Sequence, residues 1–306
     1  AREAGHLRCG CRYYFDFTNI TNIFVNQNQR SMTAAKPTQT KQQGGTSLAS
    51  ILPYIVIPLC FVVTVLLFKY YFGAGKNFVD GDNTKDPLPG NYIGIIYKGG
   101  WVVPILQGLL LMCIVFGIER FIAIRKASGA GNIDGFVRTI KGYLDRGDIA
   151  TAINACDKQK GSVANVVRAG LEKYAEMEKT TGMEKDQKII AIQKEVEEAT
   201  TLELPNLERN LNILATLASI ATLIGLFGTV LGMIKAFAAL ATAGAPDATA
   251  LATGISEALI NTALGIGTSA LAIIFYNFFT GRIDNMTYRI DEAGYSLTQT
   301  FAARNH

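Results

Sequence analysis

The sequence predicts an all-α integral membrane protein with four transmembrane helices, the long ones continuing into a helical domain in the cytoplasm. Two observations carry this prediction. Four apolar runs, Ile51 to Phe68, Trp101 to Ile118, Leu211 to Ile234 and Ala248 to Gly281, are each long enough to cross the hydrocarbon layer, which a helix spans in about 20 residues. Between the second and third runs lies a polar stretch whose apolar residues recur at helical spacing.

In chain order, residues 1–46 form a polar cytoplasmic tail. Residues 1–31 show neither sustained periodicity nor a targeting pattern, and Met32 opens a polar stretch leading to the first run. The expectation is a native start at Met32, with 1–31 a non-native extension. The first span is placed over 47–72. Small residues Gly73, Ala74 and Gly75 behind it suit a cleaved signal peptide, whereas a run of 18 residues after so long a tail favours a retained span, since a signal core has roughly 7 to 15. Residues 73–99, rich in Gly, Pro and Asp, read as an irregular exterior loop. The second span follows over 100–124.

Residues 125–208 are expected to form a cytoplasmic helical domain. Phe136, Ile140, Tyr143 and Leu144, then Ile149 and Ile153, then Val163, Val167, Leu171 and Tyr174 mark its helices, with Gly147 and Gly161 as breaks. From Lys188 a helix-forming stretch runs towards the third span (209–238), interrupted only by Pro205. Either one kinked helix enters the membrane, or two helices meet near Leu204. The connection 239–252, containing Gly244 and Pro246, is short, so the third span and the fourth (253–281) are antiparallel neighbours. A cytoplasmic helix or tail over 282–306 ends the chain.

Loop charge sets the orientation, because cytoplasmic loops carry excess Lys and Arg. Arg2, Arg8, Arg12, Arg30, Lys36 and Lys41 precede the first span, and Arg282, Arg289 and Arg304 follow the fourth. The 126–209 stretch holds thirteen basic residues against fourteen acidic, whereas the 239–253 connection holds none of the basic ones. Both termini are therefore expected in the cytoplasm. Such mixed charge also argues against a nucleic-acid footprint. Cys9, Cys11, Cys60, Cys113 and Cys156 are scattered without metal-ligand spacing, and His6 and His306 stand at opposite ends. Neither a metal, a cofactor nor hydrolase chemistry is expected.

Inside the last two apolar runs, Leu211 to Ile234 and Ala248 to Gly281, Glu257 is the one charge. An acid there costs about 2.5 to 3.5 kcal/mol on insertion scales and ordinarily faces a bundle interior or an ion path. In the third span, Gly225, Gly228 and Gly232 surround Thr229 and allow close backbone approach. Ser219, Thr222 and Thr229 fall within roughly 80° of one another at about 100° per residue. Glu257, Asn261 and Thr268 fall within about 40°, while Thr262 and Ser269 lie roughly 100° to 140° away. An ion pathway and a set of polar contacts holding helices together both fit this pattern.

The tract NLERNLNILATLASIATLIGLFGTVLGMIKAF, followed by GISEALINTALGIGTSALAIIFYN, resembles the paired core helices of the MotA/TolQ/ExbB proton-channel family, more in its ExbB/TolQ branch than in its flagellar one. The likeness extends from about Ile133 to Asn277. It implies three family-core spans plus an extra N-terminal one, and a multi-pass subunit in a bacterial inner membrane, with the exterior loops periplasmic. It further implies a homopentamer around a dimer of single-span ExbD/TolR-like partners, with a TonB-like protein receiving the work. The family's pathway threonines fall on Thr229 and Thr262, and a family glutamate on Glu257. Ser219, Thr222, Asn261 and Thr268 are secondary pathway or packing candidates. Because helical phase separates Glu257 from Thr262 and the ion-carrying acid is implied on the partner, Glu257 is expected at an inner or intersubunit face of the ring. TolQ-like envelope maintenance, a MotA-like stator and a non-conducting scaffold are the alternatives. Proton and sodium both remain compatible.

Overall fold

In the computed structural model, residues 48–83, 85–242 and 248–304 are described. The tail, the Met32 start and the Gly244–Pro246 turn lie outside them. The described residues hold no strand, and four helical stretches are long and apolar enough to cross a membrane.

Helix α1 (Leu48–Leu67) continues through a π-helical turn, Phe68–Phe72. One face meets the third helix of the chain. There the Thr64 hydroxyl donates to Cys60 O at 3.0 Å, and the Phe61 ring fills the space a side chain at Gly108 would need. Tyr54, Leu59, Val62 and Leu66 on the other side are exposed, as lipid contact requires.

The loop after this helix consists of short 3-10 turns and one isolated bridge up to Gly90, and adds a short helix at Tyr92 that the sequence reading did not include. Buried Asn77 donates to Tyr71 O at 2.9 Å and Phe72 O at 3.0 Å, taking carbonyls left free at the end of the π turn. Its own oxygen accepts from Asn91, whose side chain caps the short helix α2 (Tyr92–Tyr97). Phe68 stacks on Tyr97 at 4.7 Å, and Phe78 meets the same ring edge-on at 5.4 Å. Gly99 and Gly100 then turn the chain into α3 (Val103–Ala127), which begins with Pro104 and ends with Arg125 and Lys126 facing its carbonyl end.

Helices α4 (Ile133–Arg146), α5 (Ile149–Gln159) and α6 (Ser162–Lys179) form a polar-surfaced bundle. Asn132 and Asp148 cap the first two. Gly147 closes α4 in the left-handed region (φ 76°), which a side chain would strain. Phe136, Ile140, Leu144, Ile149, Val163, Val167, Leu171 and Tyr174 are buried together; Tyr143 and Ile153 pack at the edge.

Helices α7 (Lys185–Glu208) and α8 (Leu211–Thr242) are separate. The break falls at Arg209–Asn210, where Asn210 has φ 60°, and Pro205 stays inside α7. The single kinked helix is thus overturned, and the junction offered near Leu204 lies about one turn further on. The break is held from α3: buried Arg120 donates to Leu207 O at 3.4 Å and pairs with Glu119 at 2.5 Å, while Asn210 reaches Glu119 at 3.4 Å. Helix α9 runs unbroken from Ala248 to Arg304, 57 residues, or about 85 Å at 1.5 Å per residue. Beyond Gly281 it buries Ile283, Met286, Ile290, Leu297 and Phe301 against the bundle, with Phe301 edge-on to Tyr174 at 4.9 Å.

Candidate functional site

The last two apolar helices meet through small residues. A side chain at Gly225 would strike the Gly265 backbone, one at Gly228 would strike Asn261, and one at Gly232 would strike Ala258. Gly254 in turn sits against Ala236. Each step forward on α8 is a step back on α9, which fixes an antiparallel register. Close approach of this kind is what dispersion and short polar contacts need to hold helices together in lipid. Ser269 adds a bond across the pair, donating to Ala218 O at 2.6 Å.

Register and helical phase divide the polar residues between two sides of this hairpin. On α8, Ser219, Thr222 and Thr229 lie roughly 40° to 120° round from Gly225; on α9, Thr262 and Ser269 lie roughly 40° to 60° round from Gly265, in the same sense. Because the helices run in opposite directions, these offsets turn both sets to one side. Gly228 opposes Asn261, and Thr229 and Thr262, one residue on from each in opposite directions, are therefore offset by only about 3 Å along the pair at 1.5 Å per residue. Ser219 and Thr222 are exposed, and Thr229 and Thr262 are half-buried. The hydroxyls turn back on their own helices: Thr229 to Leu226 O at 2.5 Å, Thr262 to Ala258 O at 3.3 Å and Thr222 to Ala218 O at 3.5 Å. A hydroxyl bonded in this way keeps two lone pairs for a water or an ion.

The other side faces α3 and the Gly99–Gly100 turn. Here Glu257, 7 % exposed, accepts from Lys235 at 2.6 Å. Its carboxylate lies where a side chain on Gly100 would be, and Gly100 has φ 81°. Asn261 is fully buried and donates to Gly99 O at 3.0 Å, while its side-chain oxygen has no partner among the described residues. Thr268, also buried, bonds back to Leu264 O at 2.8 Å. Glu257 therefore links α8 and the Gly99–Gly100 turn within the chain. Its partner Lys235 is a site residue that sequence reasoning missed. It stands one position beyond the charge-free run Leu211 to Ile234, and the antiparallel register is the signal that would have found it.

Among the described residues no cluster of His, Cys, Asp or Glu is placed to hold a metal ion. The arrangement offers hydroxyls and small residues along a membrane-spanning surface, which suits passage of a small cation or proton more than bond-making chemistry.

Residues 158–292 match the family model of the MotA/TolQ/ExbB proton channel family. The chain is 29% identical to the Tol-Pal system protein TolQ of Pseudomonas aeruginosa over 188 residues, covering 61% of this chain and 79% of that one. It is 42% identical to TolQ of Haemophilus influenzae over 86 residues, 28% of this chain and 38% of the other. The biopolymer transport protein ExbB of Pseudomonas putida is 35% identical over 88 residues, 29% of this chain and 27% of its own.

Proposed function

The chain is a member of the MotA/TolQ/ExbB proton channel family, in its ExbB/TolQ-like branch, and from that premise we propose that it is the multi-span subunit of an ion-driven motor in a bacterial inner membrane. The observation that carries the reading is the open polar side of the α8–α9 hairpin. Thr229 and Thr262 stand there within about one helical turn of each other in height, turned away from α3.

The chain's own membrane acid is already engaged by Lys235, so the carboxylate that takes up and releases the ion comes from a second subunit, an ExbD/TolR-like single span. Several copies of this chain, five in the reading we favour, surround a dimer of that partner and present Thr229 and Thr262 to it. Ser219 and Thr222 continue the polar side along α8. One elementary charge crossing about 100 mV releases roughly 2.3 kcal/mol, so a few ions per step suffice for a mechanical change. The work goes to an envelope protein, TonB-like for outer-membrane uptake or its Tol counterpart for envelope maintenance. Both termini and the α4–α7 bundle lie in the cytoplasm, following the Lys and Arg bias. The ion is a proton or sodium, since hydroxyl oxygens serve either.

The test replaces Thr229 and Thr262 by Ala, alone and together, in cells that express the partners. Normal assembly, read by mass of the purified complex, with loss of gradient-driven work is the expected outcome. Full gradient-driven work in the assembled double variant refutes the pathway. A second reading, a structural scaffold, is favoured by the back-bonding of each threonine to its own helix. It requires the same substitutions to dissociate the complex.

A further inference from the structure

At the bundle end of the spans, α3 and α9 leave a groove of about 240 Å³ lined by Phe121, Arg125, Ser128, Phe278, Phe279 and Arg282. We propose that this groove binds the headgroup of an anionic glycerophospholipid, with Arg125 and Arg282 gripping its phosphodiester.

Three observations support it. Both arginines stand at the edge of an apolar run: Arg125 in the last turn of α3 and Arg282 directly after the run that ends at Gly281. Their guanidinium groups are exposed, and neither has an acidic partner within ion-pair distance among the described residues, whereas buried Arg120 in the same helix is paired. Each is instead held over a ring, Arg125 over Phe121 at 5.6 Å and Arg282 over Phe278 at 5.4 Å. The three rings are apolar throughout and suit acyl chains, while the arginine heads at the ends of the runs suit the polar layer. A guanidinium over a ring face spends none of its N–H donors there, and two planar forks suit a phosphate better than any single lysine.

Charge complementarity selects the occupant. Two unpaired cations beside hydrocarbon lack a counter-charge that an anionic lipid supplies and a zwitterionic one does not. Basic pockets between helices on the cytoplasmic side bind anionic headgroups on the same grounds. The proposal rests on the membrane reading of α3 and α9 and is independent of the ion pathway; loss of lipid preference and loss of ion-driven work are read separately.

The experiment uses the full-length chain extracted from membranes, stripped of lipid and titrated with phosphatidylglycerol or phosphatidylcholine, with bound lipid counted by native mass spectrometry. Phosphatidylglycerol is expected to bind roughly 10- to 30-fold more tightly, from about 1 kcal/mol for each of two basic side chains at a surface. R125Q/R282Q is expected to abolish that preference, and K126Q, altering a neighbouring cation outside the groove, to leave it intact. Should the double variant fold poorly, R125Q and R282Q singly are each expected to lose about fivefold. Equal binding of the two lipids by the unaltered chain overturns the proposal. So does an equal loss in K126Q, which marks a diffuse surface effect. Inorganic phosphate competing at millimolar concentration without any lipid preference assigns the groove to a free anion and overturns it as well.

Discussion

Cutting the Lys235–Glu257 pair from its two ends is expected to give unequal losses of stability. Glu257 is 7 % exposed, wedged against Gly100, whereas the Lys235 side chain is 52 % exposed. Lys235→Ala strands a carboxylate where water has little access. Removing one partner of a fully buried pair costs about 3–5 kcal/mol. A half-exposed partner was never fully desolvated, so about 2–3 kcal/mol is the expected loss here. Glu257→Gln keeps the volume and an acceptor oxygen, and it leaves an ammonium that can turn to solvent; about 1 kcal/mol or less is expected. The pair is coupled, so Lys235→Ala combined with Glu257→Gln is expected to be more stable than Lys235→Ala alone, because no charge is then stranded. Denaturant titration of the chain in a fixed neutral detergent, followed by helix signal, gives all three differences. A Glu257→Gln loss equal to or above that of Lys235→Ala refutes the argument, as does a double variant no more stable than Lys235→Ala.

Other substitutions probe the packing. Gly265→Ala brings a methyl group against Ala221 O and the Gly225 backbone and is expected to cost about 1–3 kcal/mol; Gly267→Ala, which meets nothing within 4 Å, is expected to be neutral or stabilising by up to about 1 kcal/mol in the same titration. Phe301→Ala removes a fully buried ring from Tyr174 and is expected to cost about 3–5 kcal/mol, visible as faster proteolysis within residues 133–208. Burial pushes the Cys156 thiol up to about 12, so at pH 8 the folded chain holds it as the unreactive thiol. Peptide mapping after maleimide treatment is expected to find Cys156 unlabelled until the chain is unfolded, and labelling at the rate of an exposed thiol contradicts this.

The parts of the fold that follow a repeating pattern were legible in the sequence. Apolar runs of membrane length gave four spans, and Phe136, Ile140 and Leu144 with Gly147 gave a helix and its end. The parts set by single contacts were not. Asn77 orders residues 73–97 through bonds to two carbonyls and to Asn91, and amides at irregular spacing leave no periodic trace. Pro205 drew attention to the wrong turn, because a proline near a helix end is tolerated while Asn210 adopts the left-handed backbone that ends α7. The continuation of α9 was masked by Arg282, which ends the hydropathy signal. Yet Phe279, Ile283, Met286, Ile290, Ala293 and Leu297 keep the spacing of a buried stripe. For the site, helical phase separates Glu257 from Thr262. What phase alone could not supply was register, and register brings Lys235 to Glu257 and Thr229 near Thr262.

That register bears on how such a subunit works. Under the proposed reading, a part moving inside a ring of such subunits requires the ring to hold shape, and the α3 side of the hairpin suits that: an ion pair, a buried amide on Gly99 and a glycine turn with no room for a side chain. Loosening it costs several coupled contacts at once. The hydroxyl side is the reverse, since Thr229, Thr262 and Thr222 bond only to their own helices and lose nothing when a neighbour slides past. Under the proposed reading, force generated at the open side is carried by α9, which passes without a break from the membrane to Phe301 in the bundle. A rigid helix of that length couples the hairpin to the α4–α7 core directly. A displacement at Thr262 therefore reaches the bundle without passing through the broken α7–α8 junction at Asn210.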